Sequence, residues 1–362
     1  MQKNNTPTSN TLGLITVLAA RFSAIGDVAM TIPALYGACM ANPGIEFELL
    51  TRPAMTRIFV NPPANLRLTG VDLRKEYAGP GGIARLCSRI VADRRPDVFV
   101  DLHNVLRTHL MSALLRLRGV RCVRLEKPRR ARKRLTRGNA KLLLPLRTQL
   151  ELYADTFAAA GLTTAPFEGL YPGRNTAPAA DYAALATAAK NGECWIGVAP
   201  FAAHQGKIYP SEKMKEVVRL LATAKPGGRR TRVFLFGGGE KEEKILSGWQ
   251  TEIEGVVSLA GLRAGFAAEI ALMNHLDAML CMDSANMHLA SLAGIPVVSI
   301  WGATHPYCGF SPWNAAPDSM IGLPVECRPC SVFGNKACHR GDYICLTAIS
   351  PEVVAAKVFQ TI

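Results

Sequence analysis

The sequence predicts an α/β fold made of two parallel-sheet domains, and three observations carry that prediction. Short β-rich runs alternate with helical stretches, the pattern of parallel strands joined by crossover helices. The alternation breaks once, over residues 161–191, and then begins again. The chain has 362 residues, 49% hydrophobic and 19% charged, which is too long for one ordinary core and too apolar for a disordered chain.

In the first half the candidate strands are 14–18, 47–51 and 98–102, with helices such as 28–40 and 105–117 between and after them. The second half repeats the plan with strands at 195–198, 233–236, 278–282 and 297–301. Its helices fall near 213–224, 241–250, 266–274 and 287–292. Residues 161–191, rich in Ala, Thr and Pro and without periodicity, read as the linker. The expected architecture is two Rossmann-like domains, 11–176 and 192–346, facing across a cleft.

The formal charge is +14, and residues 116–141 alone supply +11 of it, with twelve Lys or Arg against Glu126. The basicity therefore belongs to one surface, whose partner is expected to be anionic: nucleic acid, acidic lipid or a charged sugar. A merely solvated loop is the plain alternative. The apolar run 12–20 is shorter than the roughly 20 residues needed to span a bilayer. It also lacks the strongly positive start of a signal peptide, so a cytoplasmic location is expected. Six of the ten cysteines are scattered through apolar segments and read as reduced, buried thiols.

Ligands of such sheets bind beyond the carboxyl ends of the strands, which directs attention to four segments. The first, RFSAIGDVAMTIP, follows the first strand; Gly26 permits a tight turn and Asp27 stands at a helix start, as a base or as a cap. The second, VAPFAAHQGKIYP, offers Lys207 on a small-residue loop suited to phosphate, although a lone exposed Lys has the same signature. In the third, FGGGEKEE, Glu240 and Glu242 could accept ribose hydroxyls, although three glycines also simply make a turn. The fourth, MDSANMHLA, sets Asp283 and Ser284 at a strand-to-helix junction able to bind a diphosphate, with His288 one helical turn further in. A half-buried helix histidine is the ordinary reading of His288.

In order and spacing, SAIGDVAMTIPAL, AHQGKIYP and CMDSANMHLASLAGIPVVSIWGATHP resemble glycosyltransferase family 9, the lipopolysaccharide heptosyltransferases and their relatives, over nearly the whole chain. The resemblance implies a GT-B fold and inversion at the anomeric carbon. It implies an ADP-heptose-like nucleotide-sugar donor held by the second domain and an acceptor presented by the first. Asp27 then corresponds to the catalytic base, Lys207 to the donor-phosphate lysine and Asp283 to the acid of the donor segment. Ser284, His288, Thr304, Glu240 and Glu242 complete the donor side. Ser23, Gly26 and Arg107, with Arg129 and Arg130 of the basic stretch, stand on the acceptor side. The acceptor is expected to be an anionic glycolipid, reached by peripheral contact with the inner face of the cytoplasmic membrane. Residues 347–362 are expected to form a last helix, 351–360, returning toward the first domain. The sequence departs from the family at Ala202 and Ala203, where hydroxyl residues often stand, and at Ala285, where glycine is usual.

No DxD occurs in the sequence, so no metal cofactor is expected for catalysis and leaving-group charge falls to protein donors. Cys327, Cys330, Cys338 and Cys345 lie within nineteen residues and could enclose a tetrahedral, structural Zn²⁺; clustered free thiols are the alternative. Three rivals follow from other features. A relative using another nucleotide sugar keeps every motif. A nonenzymatic nucleic-acid or membrane-surface module would use the basic stretch and leave the second-half loops unexplained, so nucleic acid is not the expected partner. A dinucleotide oxidoreductase wants GxGxxG after the first strand, which SAIGDVA lacks.

Overall fold

The computed structural model describes residues 16–137, 143–186, 190 and 192–362. The start of the expected strand 14–18, residues 138–141 of the basic stretch with 142 after it, and 187–189 and 191 of the expected linker lie outside the described residues. Five strands form the first sheet: β1 Thr16–Ala20, β2 Glu46–Thr51, β3 Leu66–Gly70, β4 Val98–Asp101 and β5 Arg121–Arg124. Six form the second: β6 Cys194–Ala199, β7 Thr231–Leu235, β8 Val256–Ser258, β9 Ala278–Met282, β10 Val297–Ile300 and β11 Met320–Ile321. All pairings are parallel, in the orders β3-β2-β1-β4-β5 and β11-β10-β9-β6-β7-β8. Helices flank both sheets, so the central strands are apolar on both faces: every residue of β1, β6 and β9 is buried. This is the expected α/β architecture of two Rossmann-like units, the GT-B arrangement.

The strand orders decide where ligands can bind. In the first sheet the chain leaves β1 on one side toward β2 and later crosses to β4 on the other; in the second sheet β6 stands between β7 and β9 in the same way. A crevice opens at each of these reversals, beyond the carboxyl ends of the strands. The loops after β1, β4, β6 and β9 border the two crevices, and they carry Asp27, His103, Lys207 and Asp283.

Several elements differ from expectation. The helix expected at 28–40 is two helices, Ile25–Ala29 and Ile32–Ala41, with Pro33 opening the second. Strands β3, β5, β8 and β11 were not foreseen; all four lie at sheet edges, and β5 carries Arg121 and Arg124 instead of a continuous apolar run. The last helix, Pro351–Phe359, packs on the second unit instead of turning toward the first. Val354, Ala355 and Val358 join the core beneath β6 and β9, and the Tyr209 hydroxyl donates to the carbonyl of Ile349 at 2.8 Å. Among the described residues no helix is long and apolar enough to cross a membrane.

The connection over 161–186 is no loose linker. Leu162, Leu170, Tyr171, Ala177, Tyr182 and Leu185 are buried in the apolar cluster that runs from the first sheet into the second. Its main anchor is Asn274, fully buried, whose amide nitrogen donates to the carbonyls of Gly173 and Ala293, each at 2.8 Å. Its oxygen accepts from the backbone N–H groups of Thr176 (2.8 Å) and Ala177 (2.9 Å). Asn274→Ala would strand these groups away from water, so it is expected to destabilise the fold by about 2–4 kcal/mol, read as a lowered urea midpoint. Asn274→Asp, which sets a carboxylate oxygen against the carbonyls of Gly173 and Ala293 in a fully buried site, should lose at least as much.

Candidate active site

Asp27 occupies the first turn of the short helix Ile25–Ala29, reached from β1 through a cis Ser23–Ala24 peptide. Its carboxylate accepts from the N–H of Ala24 at 3.3 Å and pairs with Arg21 at 2.6 Å. Arg21 is buried and donates also to the carbonyl of Leu102 at 2.9 Å, which ties the loop after β1 to the loop after β4. Beneath them the Tyr153 hydroxyl donates to the Asp27 carbonyl at 3.1 Å. Asp27 is therefore a cap, as its position suggested, and more: its side chain remains 27% exposed and held in place from two sides.

Beside it stand the other first-sheet groups. The Ser23 hydroxyl is 3.5 Å from Nε2 of His103, and the ring's Nδ1 is buried with no hydrogen-bond partner among the described residues. Burial, helped by the nearby Arg21, pushes the His103 pKa down to about 3, so the imidazole is neutral. Asp101 holds the turn by accepting from the N–H groups of His103 and Asn104 at 3.0 and 2.8 Å. The ammonium of Lys127 caps the same turn through the carbonyls of His103 and Asn104, and burial pulls its pKa down to about 8. Arg107 is exposed and close enough to His103 to bear on its charge; Arg129 donates to the Asn104 carbonyl at 3.2 Å. Arg130 is exposed at the start of the helix Arg129–Leu135.

Across the cleft a second cluster forms around Asp283, at the end of β9. Its Oδ2 pairs with the Lys207 ammonium at 2.9 Å and accepts from the Thr304 hydroxyl at 2.8 Å. Asp283 is only 5% exposed, and the pair is stable there because two donors replace the lost water. Ser284 stands at the N-cap position of the helix Ala285–Leu292 without a side-chain capping bond, and its hydroxyl is buried with no partner among the described residues. The helix's unpaired N–H groups thus face the cleft together with Lys207, an arrangement that favours anions.

His288, in the same helix, joins the two clusters. A Cβ on Gly26 would meet the His288 ring at 2.9 Å, so glycine is what lets the short helix of Asp27 approach the helix of Asp283. Burial outweighs the nearby carboxylates of Asp283 and Asp27 and pushes the His288 pKa down to about 4. The Glu242 carboxylate accepts from the N–H of Gly238 at 2.8 Å at the mouth of the loop after β7, whereas Glu240, two residues earlier, is exposed and joins no cluster among the described residues.

Of the two readings of the cysteine segment, a zinc cage and clustered free thiols, the described residues do not form the cage. Among the described residues no three His, Cys, Asp or Glu side chains are grouped as ligands of a metal ion. Cys345 instead turns into the apolar core beside Leu346, and burial first, then the neighbouring thiols, raises its pKa to about 11. The segment has another task, because it braces the Lys207 loop. The N–H groups of Cys330 and Ser331 donate to the Ala303 carbonyl, Ala303 donates to Gly206, and Gly334 packs directly on the Lys207 stem. Arg328, buried, donates to the carbonyls of Gly302 and Thr304. Arg21, Tyr153 and Arg328 were not foreseen as contributors to the site. Only the two arginines left a signal, since each is a charge set among apolar residues directly after or beside a motif.

These two clusters occur in a known setting. The family model of glycosyltransferase family 9 (heptosyltransferase) matches residues 100–339, and the chain belongs to that family. It is therefore a glycosyltransferase of the heptosyltransferase family. Among solved structures it is similar to the family 9 glycosyl transferase of Veillonella parvula DSM 2008, with 20% identity and a TM-score of 0.71 over 95% of this chain and 97% of that one. It is likewise similar to the E. coli heptosyltransferase WaaC with ADP, with 18% identity and a TM-score of 0.64 over 96% and 100%. The iron-containing dodecameric glycosyltransferase TibC of E. coli is a further match, with 12% identity and a TM-score of 0.54 over 96% and 76%. At these identities the likeness is one of fold. No curated protein sequence matches the chain.

Replacing Gly26 by Ala forces either the buried His288 ring or the Asp27 helix to move. The expected result is a loss of about 1–3 kcal/mol of stability together with a large fall in activity, measured by denaturation and turnover on the same preparation.

Proposed function

We propose that this chain is an inverting heptosyltransferase that moves a heptose from ADP-heptose to an anionic, phosphorylated or Kdo-bearing lipopolysaccharide-core acceptor. The observation that carries the reading is the meeting of Asp27, from the first unit, with Lys207, Asp283, Ser284 and Thr304, from the second, across one cleft. Asp27 takes the proton of the acceptor hydroxyl as that oxygen attacks the anomeric carbon from the face opposite the leaving group. The bond from that carbon to the diphosphate oxygen breaks, and the electron pair leaves with ADP. Lys207 and the N–H groups behind Ser284 meet the developing charge. Neutral His288 adds no charge between base and diphosphate and can donate a hydrogen bond. In this scheme Glu242 accepts from a ribose hydroxyl, and Arg107, Arg129, Arg130 and Lys127 meet the anionic groups of the acceptor.

Protein donors suffice for the leaving group in this scheme, so divalent metal plays no part in it. Turnover should survive EDTA unchanged, and a strict metal requirement would refute that step. The acceptor face is basic, and its anionic lipid-linked substrate brings the enzyme to the inner surface of the cytoplasmic membrane.

The reading is tested by thermal shift with ADP, UDP, GDP and CMP and then the matching sugar nucleotides. A ligand at 100 times its Kd stabilises the fold by about 2.7 kcal/mol. ADP and ADP-heptose should raise the melting temperature and Lys207→Ala should lose most of that shift. Selective response to another base would keep the fold and change the donor, a result that Ala202, Ala203 and Ala285 make worth testing. Lys127 gives a pH test. Its depressed pKa means that the ammonium is lost as pH rises through about 8. Positive charge then leaves the acceptor face, so the acceptor KM should climb between pH 7 and 9, with a smaller climb in Lys127→Gln.

A further inference from the structure

Arg132 lies in the most basic part of the chain, yet it is only 5% exposed, while Arg129, Arg130, Lys133 and Arg134 of the same helix face solvent. Among the described residues no carboxylate forms an ion pair with it, although Asp27 is near enough to act on its charge. Its Nε donates to the carbonyl of Cys308 at 2.9 Å and its Nη2 to Oε1 of Gln149 at 3.3 Å. Its guanidinium lies 4.2 Å from the centre of the Phe310 ring. Burying a guanidinium costs free energy that these neutral partners offset only in part, so the placement stabilises a particular geometry more than the fold as a whole.

That geometry joins the two units. Cys308 and Phe310 belong to the loop that begins at Thr304, whose hydroxyl binds Asp283 and thereby the Lys207 cluster. The same loop is stitched to the first unit's following segment: Leu146 donates to the Tyr307 carbonyl at 3.0 Å and Gln149 to that of Gly309 at 2.7 Å. The backbone of Arg147 also packs directly against Gly309. A strap of seven residues, 304–310, therefore runs from the Asp283 cluster to the basic helix Arg129–Leu135, and Arg132 is the side chain that fastens its far end.

We infer that Arg132 is a positioning residue that holds the basic, acceptor-facing helix in register with the nucleotide cluster through the strap 304–310. The inference rests on the glycosyl-transfer reading for what the two faces bind. Occupancy at Lys207 and Asp283 steadies Thr304, the strap passes this to Cys308 and Phe310, and Arg132 passes it to the helix that presents the acceptor. The exposed arginines of the helix contribute charge, whereas Arg132 contributes alignment.

The test compares wild type, Arg132→Met, which keeps the stem and loses the hydrogen bonds, and Arg132→Lys, which keeps a donor for Cys308. The readouts are ADP binding, kcat and KM, and amide hydrogen exchange over residues 129–135 with and without ADP. In the wild type ADP should slow exchange in that helix. Arg132→Met should bind ADP within twofold of wild type, lose the slowing, and lower kcat tenfold or more at nearly unchanged donor KM; Arg132→Lys should recover part of both. Wild-type kcat with ADP-dependent slowing retained in Arg132→Met would overturn the inference, as would a loss of ADP affinity matching the loss of kcat, the mark of a merely structural residue. If Arg132→Met does not fold, Phe310→Leu tests the strap from the other side with the same readouts. A wild type that binds no ADP would sink the functional reading, while ADP binding without slowing at 129–135 would sink this inference alone.

Discussion

The structure turns on one carboxylate oxygen. Oδ2 of Asp283, buried at the end of β9, is shared by the Lys207 ammonium and the Thr304 hydroxyl, which come from the ends of β6 and β10. A charge this deep persists only while both donors are present, so three loops are locked to one another by electrostatics. The consequences extend outward. Thr304 opens the strap that reaches the basic helix, Lys207 is braced by the cysteine segment, and Asp283 precedes the helix whose His288 packs on Gly26 beside Asp27. Loosening that oxygen would loosen the cleft from both walls.

The division of labour between the two units follows from sheet topology. Each crevice lies where the strand order reverses, and each supplies a different electrostatic setting. The second has a half-buried helix start and a compact ammonium, which the proposal assigns to a diphosphate. The first has Asp27 oriented by Arg21, a neutral His103 and an arc of cations, suited to a hydroxyl nucleophile on an anionic molecule. Placing them face to face gives in-line displacement at a carbon between them, the proposed chemistry.

Much of this was legible in the sequence, for identifiable reasons. The central strands are apolar on both faces, and such runs announce themselves; so do the small-residue loops after them, where Asp27, Lys207 and Asp283 stand. The edge strands β3 and β5 did not, because an edge strand covered on one side need not be apolar throughout. The connection between the sheets showed its place but not its packing: Ala, Thr and Pro hid Leu170 and Tyr171, buried outside any helix or strand, and Tyr182, buried at the end of the four-residue helix Ala179–Tyr182. The four cysteines left both a cage and clustered free thiols open because spacing brings thiols near one another without fixing ligand geometry; Cys345 is buried in the core with the other three close enough to act on it. Arg132 was indistinguishable from its neighbours in a run of charges, since its burial depends on a loop 176 residues away.

The central claim is that the second unit holds the donor while Asp27, from the first, performs the proton transfer. Asp27→Asn tests it most directly, because the amide preserves shape and removes the base. The account predicts unchanged affinity for the sugar nucleotide, within about twofold, and a fall in kcat of about 10²–10⁴. Near-wild-type turnover by Asp27→Asn, or loss of donor binding in step with loss of turnover, would contradict it.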